Sequence, residues 1–309
     1  MRFEVIKTIY QAALQDDKVV FMTGDLGHAH LKDFKKNLPN QYINVGIAEQ
    51  NMVGIAAGLA LSGHRVFVYS IAPFITMRCY EQIKVDVCYQ NTGVVVIGVG
   101  AGYAYSTCGC THHAIEDIAI MRALPNMRIY SPSNPLEAKL ITQYLLTQSH
   151  PAYLRIGKGG EPNAEKEYSI EINKGLIVKP GNEITIFSTG AIISEAIKAA
   201  NILDKEGIST EVINIHTIKP LDIELIKNRV EKKRAIFVLE EHNTIGGLGE
   251  SIARIICELP GHSKPIFKCF GVPDQYSHKA GSIKYMRDCY GLNANAMAEE
   301  ITKLLKPRI

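Results

Sequence analysis

One carboxylate stands inside an otherwise apolar, small-residue stretch, INVGIAEQNMVGIAAGLA from Ile43 to Ala60, and that carboxylate is Glu49. From Ala48 onward Met52, Ile55, Ala56 and Leu59 recur at helical spacing, while Gly54, Ala57, Gly58 and Ala60 leave room for a neighbouring backbone. The pattern predicts a helix buried nearly all round, with Glu49 in its first turn. In such a setting desolvation disfavours the charged form, and a carboxylic acid that keeps its proton can donate a hydrogen bond. A plainer use of the same position is electrostatic, since a first-turn acid meets the positive end of the helix dipole.

A second cluster, TCGCTHHAIED, runs from Thr107 to Asp117. A neutral imidazole at His112 can donate to a developing oxyanion or pass a proton near neutral pH. The segment also reads as a helix start, with Thr111 as N-cap and Glu116 or Asp117 in the first turn. Cys108 and Cys110 beside His112 and His113 invite a zinc reading. Structural zinc sites space their ligand pairs much further apart, so no metal is expected on this chain. In EEHNTIGGLGE, from Glu240 to Glu250, the glycines suggest a nucleotide loop, but the GxGxxG spacing and the P-loop lysine are both missing. Gly at a strand-to-helix turn often serves close packing alone.

These residues need a scaffold, and the rest of the chain alternates strand and helix patterns. A helix over 3–14 precedes strands at 19–22, 42–45, 66–69, 94–99, 127–130 and 152–156. Helices are predicted over 48–62, about 73–90, 113–123 and 135–147. Short β-branched runs separated by helix-length segments imply a parallel sheet covered on both faces. KGGEPNAEKE then breaks the pattern as a linker. A second alternation follows: strands at 184–188, 210–214, 235–240 and 265–270, with helices at 191–206, about 222–231, 249–258 and 293–305. The fold class is therefore α/β in two consecutive domains, each a mostly parallel sheet flanked by helices: 1–160, a linker at 161–174, and 175–309.

The 309 residues are 46% hydrophobic and 21% charged, with a net charge of +3 and no long run of either sign. That balance excludes disorder and argues against nucleic acid or an anionic membrane as main partner. Seven cysteines, an odd count, fit a reducing compartment better than a disulfide framework. No signal peptide or membrane span is read, and a cytoplasmic location is expected.

With these residues in view, the chain resembles the transketolase family and is similar also to deoxyxylulose phosphate synthase. The resemblance rests on GIAEQ at 46–50, Asp25-Leu26, the Gly109–His112 segment, HTIKPLD at 216–222 and EEHNTIGGLGE. It covers nearly the whole chain, as a thiamine diphosphate-binding pyrimidine domain followed by a transketolase C-terminal-like domain. The resemblance implies that Glu49 hydrogen-bonds a ring nitrogen of the cofactor's aminopyrimidine and that His112 stands beside the reacting carbonyl. It places Tyr69 and Phe74 as stacking aromatics and Arg78 near the cofactor or the subunit interface. Arg2, Asp25, His28, His112 and Arg155 match its sugar-binding positions. Three positions depart from the family: Ala29 where it has a serine, Gly100 where it has a histidine, and Cys108 where it has an aspartate.

The family holds its diphosphate through a divalent metal, Mg or Ca, bound by a Gly-Asp-Gly motif on a separate N-terminal domain. No such motif occurs here. The resemblance thus implies the C-terminal subunit of a split transketolase, active only with an N-terminal partner subunit, as a dimer of heterodimers. Such an enzyme moves a two-carbon ketol unit from a ketose, phosphorylated or not, to an aldehyde. Two alternatives stand beside it: the beta subunit of a 2-oxoacid dehydrogenase decarboxylase component, and a noncatalytic regulatory subunit.

Overall fold

The computed structural model describes residues 1–27, 31–164, 168–260 and 264–306. In the first half, β-branched runs form β1 (Val19–Thr23), β2 (Tyr42–Asn44), β3 (Arg65–Ile71), β4 (Val94–Val99), β5 (Arg128–Tyr130) and β6 (Ala152–Ile156). They pair in parallel in the order β5-β6-β4-β3-β1-β2. β4 is buried along its whole length, as a strand covered on both faces must be. Along β3, Val66 and Val68 pack with the helix Glu49–Leu61 on one face. Phe67 and Tyr69 pack with the helices Arg2–Ala13 and Pro135–Leu146 on the other.

The second half adds β7 (Leu176–Lys179), β8 (Ile184–Ser188), β9 (Thr210–Asn214), β10 (Thr217–Lys219), β11 (Ala235–Asn243) and β12 (Ile266–Val272). Five of these form a second sheet, in the order β12-β11-β8-β9-β7, parallel except for the β7–β9 pair. The sixth, β10, pairs antiparallel with β5 and so closes an edge of the first sheet. Ile193–Lys205 and Ala294–Leu305 cover one face of the second sheet, and Ile223–Lys232 with Leu248–Glu258 the other.

Three local expectations are corrected. The helix Glu49–Leu61 is not buried all round, because Asn51, Gly54, Ile55, Gly58 and Leu61 form an exposed stripe. A Cβ added at Gly54 or Gly58 would meet nothing within 4 Å among the described residues. The helix expected over about 73–90 is Ala72–Met77, then a break at Arg78 and Cys79, then Tyr80–Gln82 running into a π-helical stretch, Ile83–Tyr89. The one expected over 113–123 begins only at Asp117, since Ala114 is held in a bridge with Gly102. Thr111 therefore caps nothing. The short elements Lys32–Asn37, β7, β10 and Ile283–Cys289 lie where no periodic pattern was read.

Candidate active site

Glu49 opens its helix directly beyond the carboxyl end of β2, and its side chain is 3% exposed. Oε1 accepts from the Ser70 hydroxyl at 2.9 Å, and Oε2 accepts from Arg78 Nη1 at 3.2 Å. Ser70 lies on β3 on the same face as Val66 and Val68, so the strand's alternation aims it at Glu49. Gly24, at the end of β1, makes the space: a Cβ there would come within 3.3 Å of Oε1. Burial of the carboxyl is as anticipated, but its partners are polar donors instead of an apolar wall.

The break after Met77 places Arg78 where its guanidinium covers the Phe74 ring, 3.9 Å from the centroid. The other partner of Phe74 is His112, edge-on at 5.1 Å between centroids. His112 sits in a 3-10 turn, Cys110–His112, with Nδ1 2.9 Å from the Thr111 hydroxyl. Tyr105 follows at 6.3 Å from the His112 ring, and Lys158 Nζ lies 5.5 Å from the Tyr105 centroid. Arg2 stands by the Tyr105 hydroxyl, where its charge opposes the rise in pKa that burial imposes on that phenol. Glu49, Arg78, Phe74, His112, Tyr105, Lys158 and Arg2 thus form one row of acid, rings and cations. The row lies where α/β sheets bind ligands, beyond the carboxyl ends of parallel strands.

Gly100 explains one of the departures. A Cβ at this residue, with φ +98°, would fall 2.3 Å from Tyr105 Cδ2. The Tyr105 ring fills the volume that a side chain at position 100 would occupy. Cys108 and Cys110 are exposed, and among the described residues no group of histidines, cysteines and carboxylates is arranged to hold a metal ion.

Other predicted residues lie elsewhere. Tyr69 is fully buried on the opposite face of β3 from Glu49, tilted against Phe21 at 5.8 Å, so no ring can stack on it there. Arg155 is 2% exposed and committed inside the protein. Its Nε donates to Asp117 Oδ2 at 2.8 Å, and Nη2 donates to the carbonyls of Ala114 and Glu241 at 2.8 and 3.0 Å. Burial opposes its charge, but Asp117, with smaller help from Tyr153 and Glu241, offsets burial and raises the pKa of the guanidinium. Asp25, with φ +60°, is clasped by Asn44, which accepts from its N–H at 3.1 Å and donates to its Oδ1 at 2.9 Å. His28 and Ala29 lie outside the described residues.

Sequence reasoning missed Ser70, Tyr105 and Lys158. Period-two alternation along β3 carried the signal for Ser70, and Lys158 is the first cation past the buried end of β6. The GGLG turn offers no nucleotide site, because Glu240 already accepts from the N–H groups of Leu248 at 2.7 Å and Gly249 at 2.8 Å.

Comparison with known proteins agrees with this geometry. Residues 3–161 match the family description "Transketolase, pyrimidine binding domain", and residues 173–297 match "Transketolase, C-terminal domain". A subunit of the apulose-4-phosphate transketolase of Phocaeicola vulgatus is 34% identical, over 97% of this chain and 95% of that protein. A putative transketolase C-terminal section of Methanocaldococcus jannaschii is also 34% identical, over 97% and 94%. A 6-deoxy-6-sulfo-D-fructose transketolase subunit from a Clostridium species is 31% identical, over 98% and 94%. Among solved structures, "Split gene transketolase, inactive beta4 tetramer" superposes with a TM-score of 0.87 at 31% identity, covering 98% of this chain and 97% of that one. Two family domains in sequence, matched along nearly the full length of such relatives, establish that the chain belongs to the transketolase family as the C-terminal subunit of a split enzyme.

Proposed function

We propose that this chain supplies the pyrimidine side of a thiamine diphosphate-dependent transketolase site and that a partner subunit supplies the diphosphate side with its divalent metal, Mg or Ca. The observation that carries this reading is the Glu49 carboxyl, nearly enclosed by Gly24, Ser70 and Arg78 yet set beside an open cavity. Ile47, next to it, is 78% exposed, and the cavity at this helix start is lined by Ile47, Ala48, Glu49, Gln50, Asn51 and Arg78. An amino-substituted aromatic ring fits such a place: a carboxyl for a ring nitrogen, the Ile47 side chain for one face, and the Phe74 ring beneath Arg78.

When bound, the cofactor supplies the nucleophilic carbon that breaks and remakes the carbon–carbon bond. Glu49 fixes the hydrogen bonding of the ring, with Ser70 holding its carboxyl in place. Arg78, half-exposed, yields the Phe74 face and part of its hold on Glu49 when the ring enters. His112, held edge-on by Phe74, donates to oxygen as charge develops on the sugar carbonyl. Arg2 and Lys158 receive an anionic tail of the sugar in place of Arg155. Two relatives carry names with such tails, a phosphate in one and a sulfonate in the other. Sugar-phosphate or sugar-sulfonate substrates, a cytoplasmic setting within carbohydrate metabolism and a heterotetramer of two chains each follow from this reading. No observation favours the decarboxylase or the regulatory alternative.

The test is co-expression with a partner subunit that carries the Gly-Asp-Gly motif, and product analysis with ketose–aldehyde pairs or with 2-oxoacids. Ketol transfer that requires both chains, thiamine diphosphate and a divalent metal supports the proposal. Decarboxylation of 2-oxoacids without ketol transfer overturns it.

A further inference from the structure

The segment from Gly102 to Ala114 is a loop with fixed ends and a free tip. Gly102 and Ala114 exchange both backbone hydrogen bonds, at 3.1 and 3.0 Å. Inside that bridge Ser106, 1% exposed, donates its hydroxyl to the Gly281 carbonyl at 2.7 Å, and the buried His113 meets Tyr103 edge-on at 5.0 Å. Between these anchors Thr107, Cys108, Cys110 and Thr111 are exposed. Two short 3-10 turns make up the tip, Ser106–Cys108 and Cys110–His112, and Gly109 alone joins them.

Two thiols therefore stand in water on either side of one glycine. Residues two apart in a chain are separated by at most about 7 Å, and a disulfide takes Cα atoms about 4.4–6.8 Å apart. Closing the pair thus asks for only a small change at the residue between them. Gly109 can give it: its φ is +78°, which side chains rarely adopt, and a Cβ there would meet nothing within 4 Å among the described residues. The change does not stay at Gly109. Its carbonyl accepts from the His112 N–H at 3.0 Å, and the Cys110 carbonyl accepts from the His113 N–H at 3.2 Å. His113 is held by burial, so the movement falls on Cys110 to His112 and on the edge-on contact of His112 with Phe74. Cys257 is exposed too, but it is the lone cysteine of its helix, Leu248–Glu258.

We propose that Cys108 and Cys110 are a modification site, a dithiol that closes to a disulfide and in closing shifts His112. The oxidant is a low-molecular-weight disulfide such as glutathione disulfide. One cysteine thiolate attacks it, forms a mixed disulfide and releases one glutathione. The second thiolate then attacks the cysteine sulfur of that bond and releases the other glutathione. Two electrons and two protons pass in all from the protein dithiol to glutathione disulfide, which leaves as two thiols. In a reducing compartment such a bond is transient, which suits a control on the His112 turn and not a structural staple.

The test treats the full chain with glutathione disulfide and maps its peptides by mass. The peptide that carries both thiols is expected to lose two hydrogens and keep no glutathione, whereas the Cys257 peptide retains its glutathione and serves as the internal control. In Cys110→Ser the mixed disulfide on Cys108 persists, since the thiol that resolves it is gone. The imidazole NMR signal of His112, assigned by its loss in His112→Ala, should shift when the natural chain closes and return with dithiothreitol. Joined to the partner subunit, the closed form should transfer ketol units at least about fivefold more slowly than the reduced form. This last arm alone rests on the function proposed above, and the others need only the chain. Separate glutathione adducts on Cys108 and Cys110 with no internal bond, a bond that closes without moving the His112 signal, or a closed form that transfers ketol units as fast as the reduced one overturns the inference.

Discussion

Two arginine–carboxylate pairs in the first domain look alike on paper and do opposite work. Arg155–Asp117 is sealed, with side chains 2% and 0% exposed, and Tyr153 adds a hydroxyl to the same carboxylate at 2.6 Å. Arg78–Glu49 is longer, 3.2 Å, and its arginine is 47% exposed. A buried ion pair that holds backbone carbonyls together is a joint of the fold, while one that is half in water can be exchanged for a ligand. The contrast separates structure from chemistry among the residues first grouped as a single site.

The largest effect expected from breaking the comparison is on the sealed pair. Asp117→Asn leaves a buried guanidinium without its counter-charge and should cost about 3–5 kcal/mol of stability, measured by urea unfolding of the isolated chain. A change below about 1 kcal/mol would mean that Arg155 is freer than its contacts indicate.

His112→Ala should lower kcat of the assembled enzyme about a hundredfold while thermal stability stays close to the parent, since the imidazole lies on the rim. An equal loss of stability would make His112 a packing residue instead.

Two of the buried imidazoles, His113 and His216, sharpen the same point through their pH dependence. Burial is the main influence on both His113 and His216, and it lowers their pKa. A base whose folded pKa lies below its unfolded value near ~6.5 favours folding while it is neutral. That stability is complete above about 6.5 and is lost as pH falls from there through the folded values. Unfolding followed against pH should show the loss, and His113→Phe, which keeps the edge-on contact with Tyr103, should flatten the acid limb.

The smallest effect belongs to the exchangeable pair. Arg78→Ala should cost the isolated chain about 1–2 kcal/mol, less than the sealed pair, because Arg78 is half in water and its removal opens Glu49 to solvent while Ser70 still donates to it. Cofactor affinity in the assembled enzyme is the readout on which this substitution tells.

Much of this is legible in the amino-acid sequence. Glu49 stands out because a lone acid among small apolar residues is costly without a purpose, and the apolar or β-branched runs of β4, β6, β8 and β9 mark their strands residue by residue. The orientation of single side chains was less legible. Tyr69 and Ser70 are neighbours, and only the alternation shared with Val66 and Val68 tells which of them faces Glu49. Arg155 and Lys158 are both cations near the end of β6, and the seal over Arg155 depends on Asp117 and on the Glu241 carbonyl, far away in sequence. The strand β10 was not legible because its antiparallel pairing with β5 joins the second half of the chain to the first sheet, which is a tertiary choice.

The most direct test of the central claim is Glu49→Gln in the complex with the partner subunit, with ketol transfer and thiamine diphosphate affinity measured side by side. Loss of at least about a hundredfold in kcat, with cofactor still bound and the fold intact, is the predicted result. A variant that transfers ketol units at the parent rate would remove Glu49 from the chemistry and contradict the account.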